Sequence, residues 1–186
     1  MVMVNGQMGI HETKKFILGI DPGRDKTGFA IVNLDGGLIC SGIFNSNERE
    51  KFFDAVLNGN DISEFVIENQ PLCQQADISP YLRGDSSSST KPLLFKVEGV
   101  KFLALGNGTQ SKDFYNYLKN KFPNDIKIKL IDEKNTTLEA RKLYWKIHKP
   151  NLLQRLLPES MRVPKRILDD LAAWKIALRA LKDVEI

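Results

Sequence analysis

Three acidic positions stand where the sequence changes character, and together they have the makings of a metal site. Asp21 closes the apolar run Phe16-Ile17-Leu18-Gly19-Ile20 and is followed at once by Pro22-Gly23. Glu133 follows the run Ile126 to Ile131, and Asp169-Asp170 lies in the first turn of a C-terminal helical pattern. A carboxylate at the tip of a strand apolar enough for the middle of a sheet is held by a rigid scaffold. If the first and last strands are neighbours, Asp21 and Glu133 meet at one rim, and a helix packed there adds an aspartate. Carboxylates so close repel unless a cation holds them. Hard oxygen ligands select Mg²⁺ or Mn²⁺, and two such ions about 4 Å apart stabilise the attacking water and the leaving oxygen of a phosphodiester. Each acid also has a local reading: Asp21 caps its turn through Gly23, Asp132-Glu133 decorates a strand end, and Asp169-Asp170 complements a helix dipole.

Positioning these residues is the task of an alternating set of elements. Periodicity predicts strands at Lys15–Asp21, Thr27–Leu34 and Leu38–Phe44, the last two joined by Asp35-Gly36-Gly37, an antiparallel meander. Ser46 or Asn47 is expected to cap a helix through about Leu57, and Phe65-Val66-Ile67 to form a short strand. Residues 69–92, with Gln74-Gln75, Pro80, Gly84 and Ser86 to Ser89, read as an exposed inserted loop. A strand at Val100–Leu105 ends on Gly106-Asn107-Gly108-Thr109, a turn whose Gly106, Gly108 and Thr109 are candidate phosphate contacts. Ser111 is expected to cap a helix carrying Phe114, Tyr117, Leu118 and Phe122, and Thr136 or Thr137 a helix carrying Ala140, Leu143, Tyr144 and Ile147. Pro150, Pro158 and Pro164 make the next stretch a long connection. The last helix is expected from about Lys165 to Lys182, burying Ile167, Leu171, Trp174, Leu178 and Leu181. The fold class is therefore α/β, with a mixed sheet in which a three-strand meander is followed by parallel strands, flanked by helices.

With 186 residues, 42% hydrophobic and 27% charged, the chain suits a single domain at 15–182 with a flexible leader at 1–14. No apolar run approaches a membrane span and no signal-peptide layout is present, so a cytoplasmic protein with no membrane partner is expected. Cys40 and Cys73, with only His11 and His148 beside them, do not have zinc-site spacing. The net charge of +4 is divided unevenly: residues 1–90 hold 7 Lys/Arg against 12 Asp/Glu, and 91–186 hold 20 against 11. That asymmetry suggests an anionic polymer as partner. The candidate contacts are Lys134, Arg141, Lys142, Lys146, Lys165 and Arg166, with Tyr144 and Trp145 interleaved. Core packing is the expected role of Tyr144, while Trp145 is left open between core and base stacking.

Gly19-Ile20-Asp21-Pro22-Gly23 followed by Thr27-Gly28-Phe29-Ala30 resembles the opening of the RuvC/YqgF family of ribonuclease-H-like nucleases. "KLIDEKNTTLEARKLYW", Lys129 to Trp145, resembles the D-E-R-x-[ST]-T-x-x-A segment of the YqgF branch, and Asp169-Asp170-Leu171-Ala172-Ala173 the final D-x-x-A-A helix. The match covers residues 15–44 and 100–181. It implies a ribonuclease-H-like fold, Mg²⁺ or Mn²⁺ as cofactor, and Asp21, Glu133 and Asp169 as metal ligands and catalytic acids. The alanine pair selects Asp169, whereas helical periodicity places Asp170 toward the middle of the apolar face, so Asp170 is its rival. Lys134 replaces the family's arginine, keeping a cation but losing a bidentate fork. Glu68 in "FVIENQ" resembles the RuvC branch's mid-chain acid and is an alternative second ligand. The resemblance implies an endonuclease acting on structured DNA or RNA: Holliday junctions on the RuvC side, ribosomal RNA precursors on the YqgF side, toward which the Glu133 motif leans. A two-fold junction would favour a homodimer. The alternative is a catalytically silent nucleic-acid-binding module on the same fold. An actin-like ATPase shares the strand–D–x–G opening but needs two such lobes, and the chain is too short for that.

Overall fold

The computed structural model describes residues 16–60, 62–67, 100–158 and 161–183. The expected leader at 1–14, the inserted loop at 69–92 and Glu68 lie outside the described residues. Five strands form one mixed sheet: β1 (Phe16–Asp21), β2 (Lys26–Asn33), β3 (Leu38–Asn45), β4 (Val100–Gly106) and β5 (Lys127–Ile131). Their order is β3-β2-β1-β4-β5, with β1 antiparallel to β2 and parallel to β4. The meander and the parallel half both form as the sequence predicts. The first and last strands, β1 and β5, are not neighbours, because β4 lies between them.

Alternation along the strands sorts side chains onto two faces. Leu18 and Ile20 of β1, Phe29 and Ile31 of β2, and Leu103 and Leu105 of β4 pack with α1 (Arg49–Asn58) and α2 (Ser111–Lys121), where Phe44 stacks on Phe52 at 4.0 Å. Ile17, Ala30, Val32, Phe102 and Ala104 form the opposite core with α3 (Thr136–Ile147) and α5 (Asp169–Lys182). Asp21 is two and four residues from Gly19 and Ile17, so strand alternation turns it toward the α5 face.

The bulky stripe predicted for α5 makes up only part of its packing face: Leu171 and Trp174 are buried as expected, and small residues share the face with them. Ala173, Ala177 and Ala180 are buried, Leu178 and Leu181 are half-buried, and Ile167 is exposed outside the helix. Small residues face small residues: a Cβ on Gly19 would meet the Ala173 carbonyl and the Ala177 Cβ, and one on Gly28 would meet the Asp169 carbonyl and lie 2.9 Å from the Asp170 nitrogen. Gly28 thus sets how closely the start of α5 approaches the sheet. Gly28→Ala is expected to cost about 1–3 kcal/mol, since the obstructing atoms are backbone and cannot rotate away. Urea unfolding of the variant measures that cost.

Several predicted boundaries shift for identifiable reasons. The last helix begins at Asp169, not Lys165, because the Lys165 N–H is bonded to Tyr144 Oη (3.3 Å) and the Arg166 side chain folds back on Ile167 and Asp170. Ser46 does not cap α1; its hydroxyl donates to the Gly23 carbonyl (2.9 Å) and is bonded to the Thr27 hydroxyl (2.8 Å). Ser111 is the first residue of α2, with no side-chain cap before it. Thr136 opens α3, and its hydroxyl donates instead to the Glu133 carbonyl at 2.8 Å. The predicted strand at 65–67 is a single bridge, Val66 to Phe44, after a 3₁₀ turn at Ser63–Phe65. The proline-rich connection carries one short helix, α4 (Leu152–Arg155). No helix among the described residues is long and apolar enough to cross a membrane.

Candidate active site

Asp21 and Glu133 meet although their strands are separated by β4. The register pairs Asp21 with Gly28 across β1–β2, Ile20 with Leu105 across β1–β4, and Gly106 with Ile131 across β4–β5. Gly106 therefore lies between the two acids on the α5 face. A Cβ there would overlap Glu133 Oε1, and one on Gly108 would press on Glu133 Oε2. The missing side chains open the corridor through which Glu133 reaches Asp21. The Gly106–Thr109 turn, expected to offer N–H groups to a phosphate, has a different employment: the Gly108 N–H bonds the Glu133 carboxylate, Gly106 accommodates it, and Thr109 is exposed beside it.

The Glu133 backbone is fixed from several sides. Its N–H donates to Asn107 Oδ1 (3.1 Å), the Thr136 N–H and hydroxyl both bond its carbonyl (2.9 and 2.8 Å), and Asn135 takes a left-handed φ of 65° where α3 begins. Arg179 of α5 clasps the same loop, donating to the Asp132 carbonyl, to the Lys134 carbonyl (2.8 Å) and to Glu139 Oε1 (2.7 Å). Asn107 and Arg179 position this acid, and neither is singled out by the sequence. Asn107 is hidden between two glycines, and a basic residue in the last turn of a helix ordinarily reads as a dipole complement. Ser46 does the corresponding work for Asp21 by tying down Gly23.

Burial, aided by the charges of Glu133 and Asp169 and by a side-chain hydrogen bond with Glu133, pushes the Asp21 carboxyl up to about 7. Burial also raises Glu133 and Asp169; the Gly108 N–H opposes the first shift, while Asp170 adds to the second and Lys26 opposes it. Glu133 Oε1 is buried and receives no N–H or O–H bond from its surroundings. Two acceptors facing one another need either a shared proton or a cation. The donor chemistry, hard carboxylate oxygens with one buried and unsatisfied, fits Mg²⁺ or Mn²⁺.

The predicted ligands are only partly gathered. Asp21 and Glu133 are in contact, and Asp169 is near enough for its charge to raise Asp21. Among the described residues, however, no group of three or more His, Cys, Asp or Glu is arranged to hold a metal ion. Asp170 is placed elsewhere. It is 1% exposed, takes both arms of the Arg166 guanidinium (2.7 and 3.0 Å) and accepts from the Ser41 hydroxyl (3.2 Å). Its lone pairs serve this ion pair, which removes it as a rival to Asp169 and removes Arg166 from the free cations. Lys134, Lys142, Lys146 and Lys165 are exposed, Arg141 is half-buried, and Trp145 is buried edge-on against Tyr144.

Gly106→Ala separates the roles in this site. Its Cβ displaces Glu133, so the Asp21 carboxyl should fall from about 7 toward the ordinary carboxylate range, only in part because burial remains the largest cause. Carboxyl-carbon NMR titration reads the change directly; an unmoved Asp21 would mean that Glu133 does not govern it.

No protein-family model matches the chain, and neither does any curated protein.

Proposed function

We propose that the chain is a divalent-metal-dependent endonuclease of ribonuclease-H-like fold that hydrolyses phosphodiester bonds in structured nucleic acid in the cytoplasm. The observation that carries this reading is the Asp21–Glu133 carboxyl pair, half-buried at the rim of the sheet, with Glu133 Oε1 buried and lacking a donor. Asp21, Glu133 and Asp169 would hold the ion. Bound Mg²⁺ or Mn²⁺ supplies Lewis-acid stabilisation of the charge that develops on the phosphodiester. The chain's own residues do the rest. Gly106 and Gly108 admit the Glu133 carboxylate, Arg179 and Asn107 hold its backbone, and Lys26 offsets the charge of Asp169. The exposed Lys134, Lys142, Lys146 and Lys165 would neutralise substrate phosphates. The resemblance of residues 129–145 to the YqgF branch points to a ribosomal RNA precursor ahead of a Holliday junction.

A second reading, a nucleic-acid-binding module without turnover, is favoured by one observation: Asp169 does not join the pair in a ready three-ligand group. Labelled structured RNA, a four-way DNA junction and linear duplex, each incubated with Mg²⁺, Mn²⁺ or a chelator, separate the two. Chelator-sensitive cutting of any of them supports the nuclease, and the substrate cut selects the branch. Binding without cutting under every condition selects the module.

A further inference from the structure

We propose that the connection between α3 and α5 is a strand-gripping knuckle, in which Leu152, Leu156, Met161 and Val163 contact unstacked bases while Arg155 and Lys165 neutralise the adjoining phosphates. This rests on nucleic acid being the partner and not on turnover.

These four apolar side chains are 80%, 82%, 65% and 77% exposed. The segment that presents them is nonetheless a built structure. The Asn151 N–H donates to Gln154 Oε1 (3.1 Å) and the Gln154 N–H to Asn151 Oδ1 (2.8 Å), closing α4 at its start. Arg162 Nε donates to the carbonyls of Gln154 (2.9 Å) and Leu157 (3.0 Å), which folds residues 161–163 back beside α4. Lys165 is pinned through its N–H to Tyr144. Polar groups are thus satisfied inward while large apolar groups face water, the reverse of a solvated loop. Several large apolar side chains exposed on one ordered connection mark a partner's seat.

Charge selects the partner. The only acid in the sequence between Lys149 and Ile167 is Glu159, against Lys149, Arg155, Arg162 and Lys165, with the charge of Arg166 met by Asp170. Apolar groups among cations complement a polymer with flat apolar faces joined by anionic links, which is an opened nucleic-acid strand. A second copy of the chain would bring like charges together. A membrane-lying helix needs a longer continuous apolar face than the four residues of α4. The knuckle is followed in the chain by α5, whose first residue is Asp169.

The test combines Leu152→Ser, Leu156→Ser, Met161→Ser and Val163→Ser, and uses Leu156→Ser alone should the quadruple variant not fold. Binding to fluorescent single-stranded DNA, single-stranded RNA and the matching duplexes is followed by anisotropy with a chelator present. Single-strand affinity should fall about tenfold or more with the salt slope unchanged, and the stronger of the DNA and RNA effects identifies the strand. Arg155→Ser with Lys165→Ser should instead flatten the salt slope by about 2. Unchanged single-strand binding in the apolar variant overturns the proposal. So does a wild-type dimer that the variant turns into a monomer, or retention on phosphatidylserine vesicles that the variant abolishes. Knuckle-dependent binding without cleavage under any metal supports the knuckle and sinks the nuclease; cleavage with knuckle-independent binding sinks the knuckle alone. Absence of any nucleic-acid binding ends both.

Discussion

Arg166→Ala is expected to lower the unfolding free energy by about 3–5 kcal/mol. Asp170 is 1% exposed, and the Arg166 side chain that covers it is 13% exposed. Removing the guanidinium leaves a carboxylate inside the α5 face with only the Ser41 hydroxyl to solvate it. The loss measures the strandedness of the remaining charge rather than the intrinsic worth of the pair, because a buried ion pair barely offsets its desolvation. Replacing both partners, Arg166→Met with Asp170→Leu, should therefore recover most of the loss. Arg166→Lys should recover only part, since an ammonium cannot occupy both carboxylate oxygens with the same geometry. Urea titration of the four proteins decides the matter. An Arg166→Ala variant within about 1 kcal/mol of wild type would show that Asp170 is solvated after all, and would return it to consideration as a ligand.

Asp21→Asn is expected to abolish the metal-dependent cutting proposed for the chain and at the same time to stabilise the metal-free protein. In the fold the Asp21 carboxyl titrates near 7, against an ordinary value of 3.8, because burial and the charges of Glu133 and Asp169 all disfavour ionisation. The folded state then holds its proton more tightly than the unfolded chain does. Stability linked to this group is fully present below pH about 3.8 and is lost as pH rises through about 7. Asparagine never ionises, so the variant should lose much of this decline and exceed wild type by roughly 2–4 kcal/mol at mildly alkaline pH. Burial of Glu133 and Asp169 raises their carboxyls as well, which leaves some residual slope in the same direction. Mn²⁺ should stabilise wild type and close the gap, as it binds the folded state and relieves the repulsion. Thermal and urea unfolding against pH, with and without Mn²⁺, test each part. A variant less stable than wild type above neutral pH would mean that Asp21 acts as a turn residue whose ionised form the fold requires.

What the sequence reveals of the site is bounded by what local pattern encodes. Strand ends are marked by apolar runs stopping at Asp21 and Ile131, where two of the acids stand, and Asp169 stands at the start of the last helical pattern, so their positions in the chain are readable. Sheet order is not, because β4 separates the two strands without leaving any trace in either. The solution to that separation is also silent locally: Gly106 and Gly108 read as a loose turn, and only three-dimensional register shows that their absent side chains are a passage for Glu133. Periodicity correctly placed Asp170 on the apolar face of α5, but the reason for a charge there is Arg166, which precedes the helix in the structure although the same periodicity extends through it. Large residues were expected on that buried face because apolar area drives packing. Leu171 and Trp174 do lie there, but Ala173, Ala177 and Ala180 share the face, since Gly19 and Gly28 let the backbones come close.

Mn²⁺ binding by wild type and by Asp21→Asn, followed by electron paramagnetic resonance above pH about 7, where Asp21 is available as an anion, tests the central claim most directly. Wild type should bind the ion, and the variant should bind it at least about tenfold more weakly while remaining folded, as loss of a liganding carboxylate requires. Equal affinity in the two proteins, or no binding by wild type, would contradict a metal centre at this rim and leave the carboxyl pair as a proton-sharing structural contact on a nucleic-acid-binding module.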